Sequence, residues 1–270
     1  MIAILLILLA FLAVAAALAW RGVRDVHARD VAWTALAAKA PWQAPPFAPR
    51  MLDGLPEPAR RFLAAAIAPG TPLRPIVELR LAGTLAGSPL GAERRVRGYA
   101  MLAPPFGSVL RLYPEPNPLG MSGELIADDA GDRARFRLLG LVPLRTGAPV
   151  PHAGARLLVE TALWCPAALL PGQGAAWEEI DADTALVSLK VGAEIRRAAL
   201  RVAGDGRLAS VRAWPAGPVA TPAGFRDFEG VSLPASVRFE DGAMAGAAGL
   251  TEARIGDVRF IGPWPGSRRS

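Results

Sequence analysis

Glu160 and Trp164 stand four residues apart, so on a helix they share one face. A carboxylate turned with an indole toward an apolar sheet must find an arginine or a hydroxyl, or face a wet cavity. The other arrangement puts Glu160 on the solvent edge of its helix. Cys165, the one cysteine, lies between Trp164 and Pro166, an apolar setting that suits a buried, inert thiol better than a nucleophile. Glu178, Glu179, Asp181 and Asp183 form an acidic cluster at a strand end, where solvation is commoner than cation binding. His27 and His152 are isolated, and two lone histidines with one cysteine do not make a metal site. Gly172-Gln173-Gly174 follows a helix and lacks a downstream lysine, so it reads as a turn and not a phosphate loop. No serine nucleophile elbow is present. No catalytic set emerges, no cofactor is implied, and the chain reads as a non-enzyme.

The element that positions these residues runs from Gly154 to Pro171. Leu157, Leu158, Val159, Leu163 and Trp164 give it one broad apolar face. Pro166 cannot continue a regular helix, so the spacing predicts a kinked second turn carrying Leu169 and Leu170. Around it the period changes to two. Val77, Leu79 and Leu81 alternate with Glu78, Arg80 and Ala82, and Arg133, Arg135 and Arg137 alternate with Ala134, Phe136 and Leu138. Arg94 to Leu102, Ser108 to Tyr113, Trp177 to Ile180, Thr184 to Val191 and Glu194 to Val202 are further strands, as are Arg207 to Trp214, Phe225 to Val231, Ser236 to Glu240 and Leu250 to Ile261. Gly204-Asp205-Gly206 is a hairpin signal. Short strands at this spacing predict an antiparallel sheet, not βαβ units. A second helix is expected from Pro56 to Ile67.

The first forty residues differ in kind. Ile2 to Trp20 is an uncharged apolar run, about 28 Å long as a helix and close to the thickness of a bilayer core. It reads as a transmembrane anchor, with Ile2, Leu5 and Phe11 in the span, Trp20 at its end, and Arg21 and Arg24 just beyond. The positive-inside rule then sets the domain on the cytoplasmic side. The alternative is a signal peptide cleaved at Ala17-Leu18-Ala19, which leaves the protein secreted or periplasmic. The helix is expected to continue to Ala40, followed by a proline-rich linker over 41–54 and one domain over 55–270. The net charge of +6 is spread along strand-like segments with no basic block, which argues against nucleic-acid binding. Mean hydropathy is +0.29, high for a chain without a membrane segment. Oligomeric state is not legible.

Several phrases in order resemble an uncharacterised bacterial family of membrane-anchored proteins with a domain of unknown function. They are Leu55-Pro56-Glu57-Pro58-Ala59-Arg60-Arg61-Phe62-Leu63, Leu139 to Pro143, Glu160 to Pro171, and Trp177 to Asp181. Cys165 and Ala167 depart from the aromatic and hydroxyl residues expected beside that proline. The phrase from Phe225 to Pro234 is similar to one in lipoprotein carriers of the lipoprotein-localisation and sigma-regulator type. That likeness implies a curved antiparallel sheet around helices, a half-barrel with an apolar interior. Neither resemblance implies an enzyme.

The expected fold is α+β: a transmembrane helix, then a large curved antiparallel sheet covered on one face by helices. Two functions follow. In one, the half-barrel holds a lipid or other apolar ligand near the membrane, lined by Leu163, Trp164, Leu169 and Leu170 with Glu160 at the mouth. In the other, a structural or protein-interaction domain fills the sheet with its own side chains. A cavity between helix and sheet distinguishes them.

Overall fold

The computed structural model describes residues 30–86, 93–128, 131–138, 142–149, 153–217, 219–240 and 249–262, with positions 12, 13, 16, 17 and 20. Among them are helix α1 over 30–37, α2 (Glu57–Ala66) and α3 (Ala153–Trp164). Thirteen strands follow the chain as two runs. The first is β1 (Val77–Ala86), β2 (Arg94–Ala103), β3 (Gly107–Glu115), β4 (Ser122–Asp128), β5 (Gly131–Leu138) and β6 (Val142–Pro149). The second is β7 (Ala176–Asp181), β8 (Thr184–Val191), β9 (Glu194–Val202), β10 (Leu208–Ala213), β11 (Val219–Phe228), β12 (Val231–Phe239) and β13 (Gly249–Phe260). They form one antiparallel sheet in the order β6-β5-β4-β3-β2-β1-β13-β12-β11-β10-β9-β8-β7. The fold is α+β, as the alternating pattern predicts.

The order fixes the shape. Every connection but one joins neighbours; the exception is α3, which carries the chain from one edge strand to the other. It touches β2, β4 and β5 in one half and β9, β10 and β12 in the other. In a flat sheet β5 and β9 lie nine spacings apart, about 43 Å, while a twelve-residue helix is about 18 Å long. Contact with both requires the sheet to curl around the helix. Its edges stay open, since β6 and β7 are not paired with each other.

Near the join of β1 and β13, two register shifts flank Gly83. A Cβ there would sit 2.2 Å from the Glu252 carbonyl oxygen, so only glycine permits the approach.

β9 buries Ala198, Leu200 and Val202, one alternating face, and both α2 and α3 touch β9. The two helices therefore share the concave side. Phe62, Leu63, Leu158, Leu163 and Trp164 belong to one apolar core. The convex side of β2 to β4 is covered separately by α1, where Leu36 joins Ile76, Met101, Val109 and Ile126.

The structure departs from the sequence reading in two places. The expected kinked helix from Gly154 to Pro171 is interrupted: α3 ends at Trp164, Cys165 leaves helical geometry, and two 3₁₀ turns follow at Pro166–Leu169 and Pro171–Gln173. Pro166 has no N–H to give the helix and its ring crowds the preceding turn. The proline-rich stretch 41–54 does more than space: Phe47 and Leu52 enter the main core, and Phe47 N–H donates to Thr71 O at 2.8 Å. The apolar run from Ile2, with Leu5, Phe11, Arg21 and Arg24, lies outside the described residues apart from isolated helical positions, of which Trp20 is exposed. Among the described residues no helix is long and apolar enough to cross a membrane.

Trp164 is 1% exposed, and its indole N–H has no hydrogen-bond partner among the described residues. Its value to the fold is therefore packing. Trp164→Ala is expected to cost about 3–5 kcal/mol in urea melts of the full chain, and Trp164→Phe clearly less. Equal stability of wild type and the alanine variant would contradict a central α3.

Candidate functional site

α3 is buried on every side, from Arg156 to Trp164. Glu160 is therefore not on a solvent edge. One turn back, Arg156 Nε lies 3.5 Å from Glu160 Oε1, with both side chains almost wholly enclosed. Arg156 Nη2 also donates to Ser108 Oγ on β3 at 3.2 Å, which ties the helix to the first half of the sheet. Thr161 Oγ1 donates to Leu157 O at 2.6 Å. The carboxylate has found the arginine that its burial demanded. Within α3 the two side chains form a buried ion pair one turn apart.

The other candidates also resolve into structure. Cys165 is fully buried, and desolvation pushes its thiol up to about 12, against a weaker opposing hydrogen bond from the Ala168 amide. The acidic cluster builds a turn and a clamp: the Asp183 amide donates to Asp181 Oδ1 at 2.9 Å, and Arg61 of α2 bridges to Asp183 at 2.8 Å. The Asp183 amide and then the Thr184 hydroxyl hold the Asp181 carboxyl below its usual range. Among the described residues no three histidine, cysteine or acidic groups converge as a metal site. His27 and His152 lie outside the described residues.

Leu163, Trp164, Leu169 and Leu170 are all buried in the main core. Trp177 Nε1 donates to Leu169 O at 2.9 Å and fixes the 3₁₀ turn against β7.

The sequence reading missed a groove of about 590 Å³ at the rim, between α1, the β2–β3 turn, β3, β4, the second 3₁₀ turn and β8. That volume is ordinary for a small-molecule site. The groove runs between the two apolar clusters: Leu36, Val109 and Ile126 belong to the outer one, and Leu189 to the core around α3. Among the described residues its polar side chains are Lys39, Lys190 and Gln173, and no aspartate or glutamate lines it. Lys39 Nζ stands 5.3 Å above the ring of Phe106, a half-exposed residue at the lip. None of Glu160, Leu163, Trp164, Leu169 and Leu170 borders this groove. One signal was available in the sequence: Lys39 and Lys190 are its only lysines. A second hollow, of about 630 Å³ beside Trp42, Arg74 and Phe260, is shallower and more open.

Residues 45–237 match the model of a family of unknown function, DUF6544, and the chain belongs to that family. Among curated proteins none matches. Two solved structures are similar in outline. One is a LolA superfamily protein from Nitrosomonas europaea, with a TM-score of 0.41 and 11% identity over 75% of this chain and 91% of that one. The other is a DUF1329 family protein from Desulfovibrio piger, with a TM-score of 0.39 and 10% identity over 69% and 86% of the two chains.

Two measurements test the polar groups of α3. Glu160→Ala leaves Arg156 buried without its carboxylate and is expected to destabilise by about 3–5 kcal/mol, whereas replacing both residues with Met costs less. A double variant no better than the single one would show that the pair itself stabilises. For Cys165, the raised folded pKa means that ionisation favours the unfolded chain. Its contribution is complete below pH 9 and is lost as pH rises from 9 toward 12. At pH 10 the loss is about 1.4 kcal/mol relative to Cys165→Ala. Urea midpoints of the two proteins that change in parallel between pH 8 and 10 would contradict the buried thiol.

Proposed function

We propose that this family member is a non-enzymatic, membrane-anchored domain that holds the alkyl chain of a lipid-like ligand in the rim groove. One observation carries the reading: an apolar groove of about 590 Å³ bounded by α1, the first described helix after the apolar run 2–20. In this reading that run spans the bilayer, Arg21 and Arg24 meet its surface, and α1 holds the groove beside the membrane that supplies the ligand. Leu163, Trp164, Leu169 and Leu170 form the packed wall behind the ligand, reached through Leu189, and Glu160 serves the helix through Arg156.

Each buried CH₂ of an alkyl chain contributes about 0.8 kcal/mol, so ten contribute about 8 kcal/mol before the losses of association. That supports micromolar binding at best, suited to reversible exchange with a bilayer. The second reading, a self-filled structural or protein-interaction domain, is favoured by the burial of α3 from Arg156 to Trp164.

The two readings separate by photolabelling of the full chain in phosphatidylcholine nanodiscs, using a diazirine-bearing hexadecanol. Ligand binding predicts label on the peptides around Val109, Ile126 and Leu189. Ala35→Trp, at an exposed position that borders the groove, is expected to reduce that label about tenfold by filling the space. Label confined to the N-terminal run in both proteins would leave the structural domain as the function.

A further inference from the structure

Charge is distributed unevenly between the groove and the rest of the molecule. The chain has 30 basic residues, of which only Lys39 and Lys190 are lysine. Both line the groove, from the turn that follows α1 and from the end of β8. Several arginines elsewhere are committed to carboxylates: Arg61 to Asp183, Arg74 to Glu229, Arg259 to Glu78 and Arg156 to Glu160. Among the described residues neither lysine forms an ion pair, and none of those that line the groove is a carboxylate. Lysine also differs from arginine in kind: its ammonium is a compact point charge on a flexible stem that can follow a head group, without the fixed fork of a guanidinium. Both lysines are exposed, and the place of Lys39 above the ring of Phe106 sets one ammonium at the lip, over apolar walls.

Resting on the reading of the groove as an alkyl-chain site, we propose that its ligand is an anionic amphiphile. One negatively charged head group, carboxylate or phosphate, lies between Lys39 and Lys190 and accepts from Gln173, while the chain lies along Leu36, Val109 and Ile126. Charge-assisted hydrogen bonds at a partly dehydrated lip discriminate strongly against neutral head groups. A cationic amphiphile is rejected for the same reason.

The test uses three diazirine probes of equal chain length, hexadecanoic acid, hexadecyl phosphate and hexadecanol, on the full chain in phosphatidylcholine nanodiscs at pH 8. At least one anionic probe is expected to label the groove peptides about tenfold more than the alcohol. The stronger anionic probe identifies the source, a free fatty acid or a phosphate-bearing lipid. Lys39→Gln with Lys190→Gln, at two exposed positions, is expected to reduce anionic labelling to the level of the alcohol and leave the alcohol unchanged. Equal labelling by all three probes, or a preference that survives the double substitution, overturns the anionic head group while the alkyl-chain site stands. Absence of groove label from every probe removes the alkyl-chain site itself. Excess inorganic phosphate is expected to leave labelling unchanged, and full competition by it would show a site for the free anion and overturn the amphiphile.

Discussion

A single connection sets the architecture. The chain lays six strands outward from the middle of the sheet, then must start the other half at the far edge, and only α3 and its 3₁₀ turns join the two. A flat sheet of thirteen strands would separate those edges by about 58 Å. The helix instead draws both halves around itself. Curvature here follows from topology as much as from strand twist. It explains why α3 is enclosed on every side, a condition usual for helices in the centre of large cores and unusual for one between two sheet edges.

Enclosure constrains the helix chemically. Arg156 and Glu160 enter an apolar interior together, because neither charge is tolerable there alone. Their attraction offsets part of the dehydration cost, and the hydrogen bond to Ser108 commits the helix to one rotation against β3. The pair also explains the burial of Glu160, which the apolar face around Trp164 could not by itself predict.

Much of this was legible in the sequence because alternation and turn residues are local signals. β1, β2, β3, β8, β9 and β13 fall where the sequence reading places strands, and α2 falls within the span expected from Pro56 to Ile67. β4 and β6 were missed, since Gly123 in one and the prolines and Gly147 in the other dilute the strand signal. The packing of Phe47 and Leu52 was hidden by the prolines around them. The groove was least legible: its walls come from α1, the first strands, a 3₁₀ turn and β8, and no short window contains more than one wall. Only the scarcity of lysine hinted that Lys39 and Lys190 belong together.

The seam between β1 and β13 has a kinetic meaning. The first strand and the last are neighbours at the centre of the sheet, paired from Val77 with Phe260 to Ala86 with Gly249. A ribosome therefore delivers the two halves before the strand that unites them. Until residues 249–260 emerge, β1 presents an open edge and the core around α3 lacks a staple down its middle. Loop closure over nearly the whole domain makes that last pairing slow. The interval is when an exposed edge is most open to pairing with another chain, and rapid docking of α3 onto the first half is what shortens it.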